Sequence, residues 1–446
     1  MAKASSAAII GGGIGGVTLA YELAKAGVEV TIYERGAQVG GLATFLNYNG
    51  VRIDRFYHTI LSSDLSMQKL IEETGVKDVL HFTETKQGFY DNGHVYPFNT
   101  PVDFLKFPPL NIFQRFRLGL QIIAAQFEKD ATKMDAMPVE KWLLRVSGRG
   151  VVEKVWKPLL RAKFDSETQD IPATYIWSRL RRMMSTRQGV TSKEMMCYLE
   201  GGYFTLIAAL VEKCKEIGVK IEVQSEVKQV LVENGRVVGL EISNSHGTQE
   251  CRFDAIIGTL SSPIFSRMLP EVQSVEEYRE TLSKQEYLGV LCPLLLLRKR
   301  LTPYYVLNIT DASIPFTAVV ETTNLIDPQY VGDYHLVYLP KYLTPDSELM
   351  KWSDEQVKTE WMRHFQRMFP DYDVADIEAF LVQKTGFVEP LIPIGKTDQI
   401  PEIQTPLPGL YLSNSVMVYP ALNNGESITQ LARRTAQTVL ANLPTA

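Results

Sequence analysis

The sequence predicts an α/β fold, a doubly wound parallel sheet joined to a second, α+β unit with a mixed sheet and helices. Three observations predict it. A short apolar run, Ala7–Ile10, ends in a glycine cluster and leads into a helical pattern through Ala20, Leu23 and Ala24. Alternation of strand and helix patterns returns twice, over 198–259 and over 408–441. The two intervals between these returns differ in kind, the first mainly helical and the second mainly strands.

Val28–Tyr33 reads as a second strand, completes a βαβ unit and delivers Glu34. Gly11, Gly13 and Gly16 have the G-x-G-x-x-G spacing of a Rossmann-like dinucleotide site. The first glycine allows the tight turn, the second lets a pyrophosphate approach the backbone, and the third lets helix pack on strand. Ile14 and Gly15 open the helix, whose unpaired N–H groups face the phosphates. Glu34 ends the second strand, where a carboxylate accepts hydrogen bonds from ribose hydroxyls and would repel a 2′-phosphate. Five glycines in the six residues 11–16 weaken a fold unless something must come close.

At 446 residues the chain is too long for one small core, so two domains are expected. The composition, 45% hydrophobic and 22% charged, is that of an ordinary globular protein. A net charge of −5 gives no sign of a nucleic-acid binder. Cys197, Cys214, Cys251 and Cys292 are scattered without C-x-x-C spacing, which fits a reducing compartment and argues against a zinc site. The six histidines form no metal constellation. The N-terminal apolar run is too short for a signal peptide, and no apolar segment is long enough to span a bilayer. A cytoplasmic protein is expected, soluble or peripheral to a membrane; the sequence does not show its oligomeric state.

Glu34-Arg35 is followed by Gly40-Gly41-Leu42-Ala43. With these residues the chain resembles the FAD-dependent amine oxidase, protoporphyrinogen oxidase and phytoene desaturase group, in which a glutamate–arginine pair and then a glycine pair follow the dinucleotide motif. The resemblance implies FAD. It would place Glu34 at the adenosine ribose, with Arg35, Gly40, Gly41 and Leu42 along the pyrophosphate and flavin side. The S-G-G-C signature of covalent attachment is absent, so the FAD would be held non-covalently.

Later stretches extend the likeness. Gly201-Gly202-Tyr203-Phe204-Thr205-Leu206 resembles the group's G-G-x-x-x-L element, and a helix to Ile217 and a strand over Val219–Val223 follow. The resemblance gives Val227 a backbone contact to adenine. Asp254–Thr259 is similar to the D-x-V-I-x-T element. Pro408–Asn414 resembles G-L-Y-L-x-G-D, but Asn414-Ser415 stands where the family has glycine and aspartate. The hydrogen bond to ribityl then falls to the side chain of Asn414 or Ser415. Gly425, Ser427 and Ile428 open the last helix, whose N-terminus would stabilise negative charge on the flavin pyrimidine ring.

After Arg55, Phe56-Tyr57-His58-Thr59 looks like the F-H-T element of UDP-galactopyranose mutases, flavoenzymes of similar architecture in which this region lines the flavin, although Ile53-Asp54-Arg55 stand where that motif has G-P-H. Arg55, Tyr57 and His58 are therefore candidates for that lining, with a structural, hydrogen-bonded His58 as the equal alternative. No general base is singled out among Lys384, His58 and Tyr411.

In the helical interval, Leu110, Phe113, Phe116, Leu120, Ile123 and Phe127 recur at helical spacing, with Arg115, Arg117 and Gln121 between them. Such a helix either docks on a membrane or packs its stripe on its own domain, and the second is commoner. Arg179, Arg181, Arg182 and Arg187 form either a clamp for an anionic substrate group or a solvated helix face. In the strand interval, Val290–Leu297, Tyr304–Ile309, Phe316–Glu321 and His335–Tyr338 read as strands and Asp354–Met368 as a helix. Tyr304, Tyr305, Phe316 and Tyr338 could line a pocket.

Residues 1–90, 196–262 and 385–446 are expected to build the FAD domain, and 91–195 and 263–384 the substrate domain. The resemblance implies an FAD-dependent oxidoreductase taking a hydride from a C–H or N–H bond of a small molecule to flavin N5. A single dinucleotide motif leaves reoxidation to oxygen, a quinone or another acceptor. Two alternatives stay open: a redox-neutral nucleotide-sugar mutase, and a flavin-free binding protein like the Rab GDP-dissociation inhibitors.

Overall fold

The computed structural model describes residues 5–164, 170–185 and 195–443. At its centre is a wholly parallel five-stranded sheet in the order Lys220–Glu222, Glu29–Tyr33, Ser6–Ile10, Ala255–Gly258, Leu410–Leu412. Side chains alternate across a strand, so Ala7 and Ile9 enter one core and Ala8 and Ile10 another. The first core lies under the helices Ile14–Lys25, Phe204–Glu216 and Gly425–Asn442. The second lies under an antiparallel meander of Glu226–Glu233, Arg236–Asn244 and Gly247–Arg252. Burial on both faces is why the central strands read as unbroken apolar runs over Ala7–Ile10 and Ala255–Gly258, while the edge strand Lys220–Glu222 does not.

A mixed eight-stranded sheet forms the second unit. Its strand Glu286–Leu297 is buried from Tyr287 onward and pairs antiparallel with Ile377–Leu391 on one side and with His335–Tyr338 and Lys341–Leu343 on the other. The helix Asp354–Met368 covers one face through Trp361 and Phe365. The other face takes up Ile53 and Phe56 from the cofactor side. Residues 101–164 and 170–185 add a helical layer around Trp142, Leu143, Trp156 and Trp177. Among the described residues no helix is long and apolar enough to cross a membrane.

Several expected boundaries move. Gln87–Asp91 pairs with Val306–Ile309 in the large sheet, so the chain leaves the parallel-sheet unit before residue 87, not after 90. Phe265, Leu269 and Leu282 pack with Ile10 and Ile256, which carries that unit past 262 to about 283. It resumes only after Leu391, not at 385, because Ile377–Leu391 is one strand of the large sheet. Pro390 is tolerated there because this strand lies at the sheet edge. Of the four expected pocket aromatics, Tyr305, Phe316 and Tyr338 are core residues.

Candidate functional site

The carboxyl ends of the parallel strands meet at one edge of the sheet, where ligands bind in such folds. Strand Ser6–Ile10 ends in Gly11, at φ +108°, a conformation glycine adopts without strain. A Cβ on Gly16 would stand 2.1 Å from the Gly11 carbonyl oxygen, so only glycine lets this helix start so close to the strand. Glu34 closes the turn from the neighbouring strand. Its carboxylate accepts from the Gly12 N–H at 2.8 Å and the Gly36 N–H at 2.7 Å. A second glycine turn lies alongside: the Gly40 N–H donates to the Gly12 carbonyl at 2.7 Å, and a Cβ on Gly41 would sit 3.1 Å from the Gly13 Cα. A Cβ on Gly13 would meet no atom within 4 Å. The two turns thus border open space, where backbone N–H groups and the start of a helix are available to phosphate.

The later returns of the chain meet the same edge. Thr259 Oγ1 donates to the carbonyls of Ile10 and Gly11, at 2.9 and 3.1 Å. Asn414, buried, donates through Nδ2 to the Leu260 carbonyl and to Ser262 Oγ, and its Oδ1 has no hydrogen-bond partner among the described residues. Asn424 caps the closing helix by accepting from the Ser427 N–H at 3.1 Å. Ile428 lies against Gly15, so the starts of the first and last helices are neighbours. The Ser225 N–H donates to the Glu34 carbonyl at 3.0 Å, which brings the strand bearing Val227 beside the acid. Arg35 is exposed and Leu42 partly so, while Ser415 is half-buried. The strand ends at Tyr33, so Glu34 and Arg35 both stand in the turn that follows it.

Between this edge and the large sheet sits Asp54–Thr59. The backbone N–H of Tyr203 donates to Asp54 at 2.9 Å, yet burial pushes this carboxyl up to about 6. His58 Nδ1 lies 2.9 Å from the Phe56 carbonyl. A carbonyl only accepts, so Nδ1 carries the proton and Nε2 keeps its lone pair. Burial pulls the imidazole down to about 4, so His58 is neutral at physiological pH. Its ring lies 4.9 Å from that of Tyr203. Arg55 donates through Nε to Gln383 at 2.8 Å.

Tyr57 leads to a polar cluster that sequence reading missed. Its hydroxyl is 2.9 Å from that of Tyr342. Lys163 Nζ stands 3.2 Å from the Tyr342 ring centroid and 3.3 Å from Glu389. Arg179 lies 3.7 Å from the other Glu389 oxygen and over the Tyr175 ring. Burial lowers the Lys163 ammonium to about 8 against the pull of Glu389. Tyr175 and Glu389 also line a cavity of about 40 Å³ that reaches Ser415 and Asn423. Asn423 in turn holds the Val388 carbonyl, beside the cap of the last helix. Lys163 and Glu389 are 226 residues apart, and no local pattern links them.

The expected arginine clamp divides. Arg179 joins this cluster, Arg182 pairs with the buried Asp64 at 2.9 Å, and Arg181 lies over Trp177. Arg187 lies outside the described residues. Lys384 is taken up by the Trp352 carbonyl and Tyr411 is buried in the parallel sheet, so neither sits beside His58 as a base.

A family model described as flavin containing amine oxidoreductase matches residues 14–425. The zeta-carotene desaturase of Synechocystis sp. is 23% identical over 98% of this chain and 97% of its own. An oxidoreductase from Methanosarcina mazei superposes with a TM-score of 0.74 at 18% identity, covering 97% of this chain and 100% of that one. Reduced UDP-galactopyranose mutase superposes with a TM-score of 0.75 at 14% identity, covering 98% and 96%. At these identities the two structural likenesses speak for the fold alone.

Proposed function

The chain belongs to the flavin containing amine oxidoreductase family, and from that premise we propose that this FAD-dependent oxidoreductase removes a hydride from a C–H or N–H bond of a small molecule bearing an acidic group. When bound, FAD supplies the two-electron acceptor, at N5. The observation that carries the reading is the open space at Gly13 between two glycine turns, with the Glu34 carboxylate already fixed at its rim.

Gly11–Gly16 and the start of the first helix would hold the pyrophosphate, Glu34 and Val227 the adenosine end, and Gly40–Leu42 the flavin side. Asn414 Oδ1, buried without a partner, fits a ribityl hydroxyl donor, which is the bond its family's aspartate makes. Gly425, Ser427 and Ile428 would present the positive end of the closing helix to the pyrimidine ring. His58, neutral and with no proton on Nε2, would accept a hydrogen bond beside the flavin, and the burial that holds it near 4 works against its taking up a proton. Its carbonyl partner keeps that nitrogen aimed away from Phe56.

Lys163 and Arg179 place two cations against the single carboxylate of Glu389. Lys163 is nearly buried and Arg179 about a third exposed, so the surplus positive charge is partly screened from water and would favour an anionic substrate group reaching these two cations. Tyr57 and Tyr342 would orient the substrate between that anchor and the flavin.

Anaerobic mixing of the holoenzyme with acidic, neutral and amine candidates tests the reading. Bleaching of the flavin absorbance by an acidic compound, with one equivalent of oxidised product, is expected. Turnover of a nucleotide sugar by the reduced protein without net oxidation would overturn it in favour of a mutase. A protein that cannot be reconstituted with FAD would overturn it altogether.

A further inference from the structure

The helix Ile112–Phe127 turns its apolar stripe away from the protein. At 100° per residue, Ile112, Phe113, Phe116, Leu120, Ile123 and Phe127 fall within an arc of about 100°. All six are exposed, from 41% for Leu120 to 79% for Phe113 and Phe127. The opposite face, with Leu118, Gln121 and Ala125, is the buried one.

Polar bonds fix this orientation. Trp156 donates to Ser147 Oγ at 3.2 Å, and Ser147 donates to Gln121 Oε1 at 3.1 Å, beneath the helix. Gln126 donates to the Leu180 carbonyl, and Arg115 donates to the carbonyls of Phe107 and Leu110. Rolling the stripe inward would break all of these and leave buried polar groups unpaired. Val102 and Leu105, each 54% exposed, extend the apolar face.

Charge on this face is mainly basic, with Asp103 at its rim accepting from the Asn99 and Thr100 N–H groups. Residues 104–127 contain Lys106, Arg115 and Arg117 and no aspartate or glutamate, in a chain of net charge −5. Arg145 and Arg149, both exposed, stand on the next helices, where Arg117 holds the Val146 carbonyl.

We propose that this face docks on the anionic leaflet of a lipid bilayer, the helix lying in the interface plane with its six apolar side chains among the acyl chains. A helix with an apolar arc and a basic flank binds lipid in this way, through buried area and attraction to anionic headgroups together. Pairing with a second copy fits less well, because a two-fold contact would set Lys106 and Arg117 against like charges. The proposal does not depend on the flavin chemistry.

The full-length holoprotein is to be sedimented with phosphatidylcholine vesicles, with and without about 30% phosphatidylglycerol. Binding is expected to be at least about tenfold stronger to the anionic vesicles and to weaken as salt is raised. The triple variant Phe113→Ser, Phe116→Ser, Phe127→Ser should lose about tenfold or more in partitioning while its flavin spectrum and melting temperature stay unchanged. Lys106→Glu with Arg145→Glu should abolish the preference for anionic vesicles. Three results would overturn the proposal: wild-type protein left in the supernatant, equal binding by the triple variant, or a wild-type dimer that the triple variant makes monomeric.

Discussion

Glu34 does two things at once. Both its oxygens take backbone N–H groups of the flanking turns, at 2.8 and 2.7 Å, which sets the loop before any ligand arrives. Hydrogen bonds to a charged group contribute roughly 1.5–3 kcal/mol each. Glu34→Gln would turn one acceptor into an NH₂ facing an N–H, so FAD affinity should fall about tenfold, read by titration of flavin fluorescence. An unchanged affinity would show that the brace is irrelevant to binding. The acid could be found from sequence because its place is set by a strand end and a fixed distance from the glycines. Lys163 could not, since only the tertiary fold brings it to Glu389. Its ammonium, held near 8 by burial, is charged below that pH and neutral above it. An anionic substrate held by Lys163 is therefore bound fully below pH 8 and progressively lost above. KM should rise about fivefold between pH 8 and 9 with kcat unchanged, and Lys163→Met should show a high KM with no such rise. A flat wild-type profile would remove Lys163 from the substrate site.

Periodicity identifies which residues of an element share a face, and it is silent about what covers that face. The stripe Leu110, Phe113, Phe116, Leu120, Ile123 and Phe127 was legible, but the expectation that it packs on its own domain holds only for the buried Leu110 and is overturned for the other five, which are exposed. Each large apolar group left in water forgoes about 1.5–3 kcal/mol, so the orientation must be held by other bonds. The Gln121–Ser147–Trp156 chain supplies them. Ser147→Ala would leave the indole N–H and the amide oxygen buried without partners, and should destabilise by about 2–4 kcal/mol in denaturant unfolding. A loss under about 0.5 kcal/mol would mean that packing alone orients the helix. The strand Ile377–Leu391 escaped for another reason. Its residues alternate weakly, and Pro390 reads as a break unless one knows that the strand lies at a sheet edge.

At the scale of the molecule, the parallel sheet is assembled from three visits of the chain, each ending at the same edge. Its assembly from three segments was legible because each visit carries a turn motif with its own glycines or caps. The boundaries between visits were not, because nothing local marks where Gln87–Asp91 joins a different sheet. The visits are tied by Thr259 on the Ile10 and Gly11 carbonyls, by Asn414 on Leu260, and by Arg433 of the closing helix on Glu22 and Glu73. A cofactor touching all of them binds only the assembled edge, so it stabilises by mass action, by about 2.7 kcal/mol when free FAD is 100-fold above Kd. Removing FAD should therefore lower the melting temperature. It should also release amide hydrogen exchange together in 11–16, 36–43, 259–262 and 414–428, although these segments are remote in sequence. The large sheet, which shares few of these bonds, should change little by comparison. Exchange that rises in 11–16 alone would mean that the glycine turn binds FAD unaided and that the later visits of the chain serve only the fold.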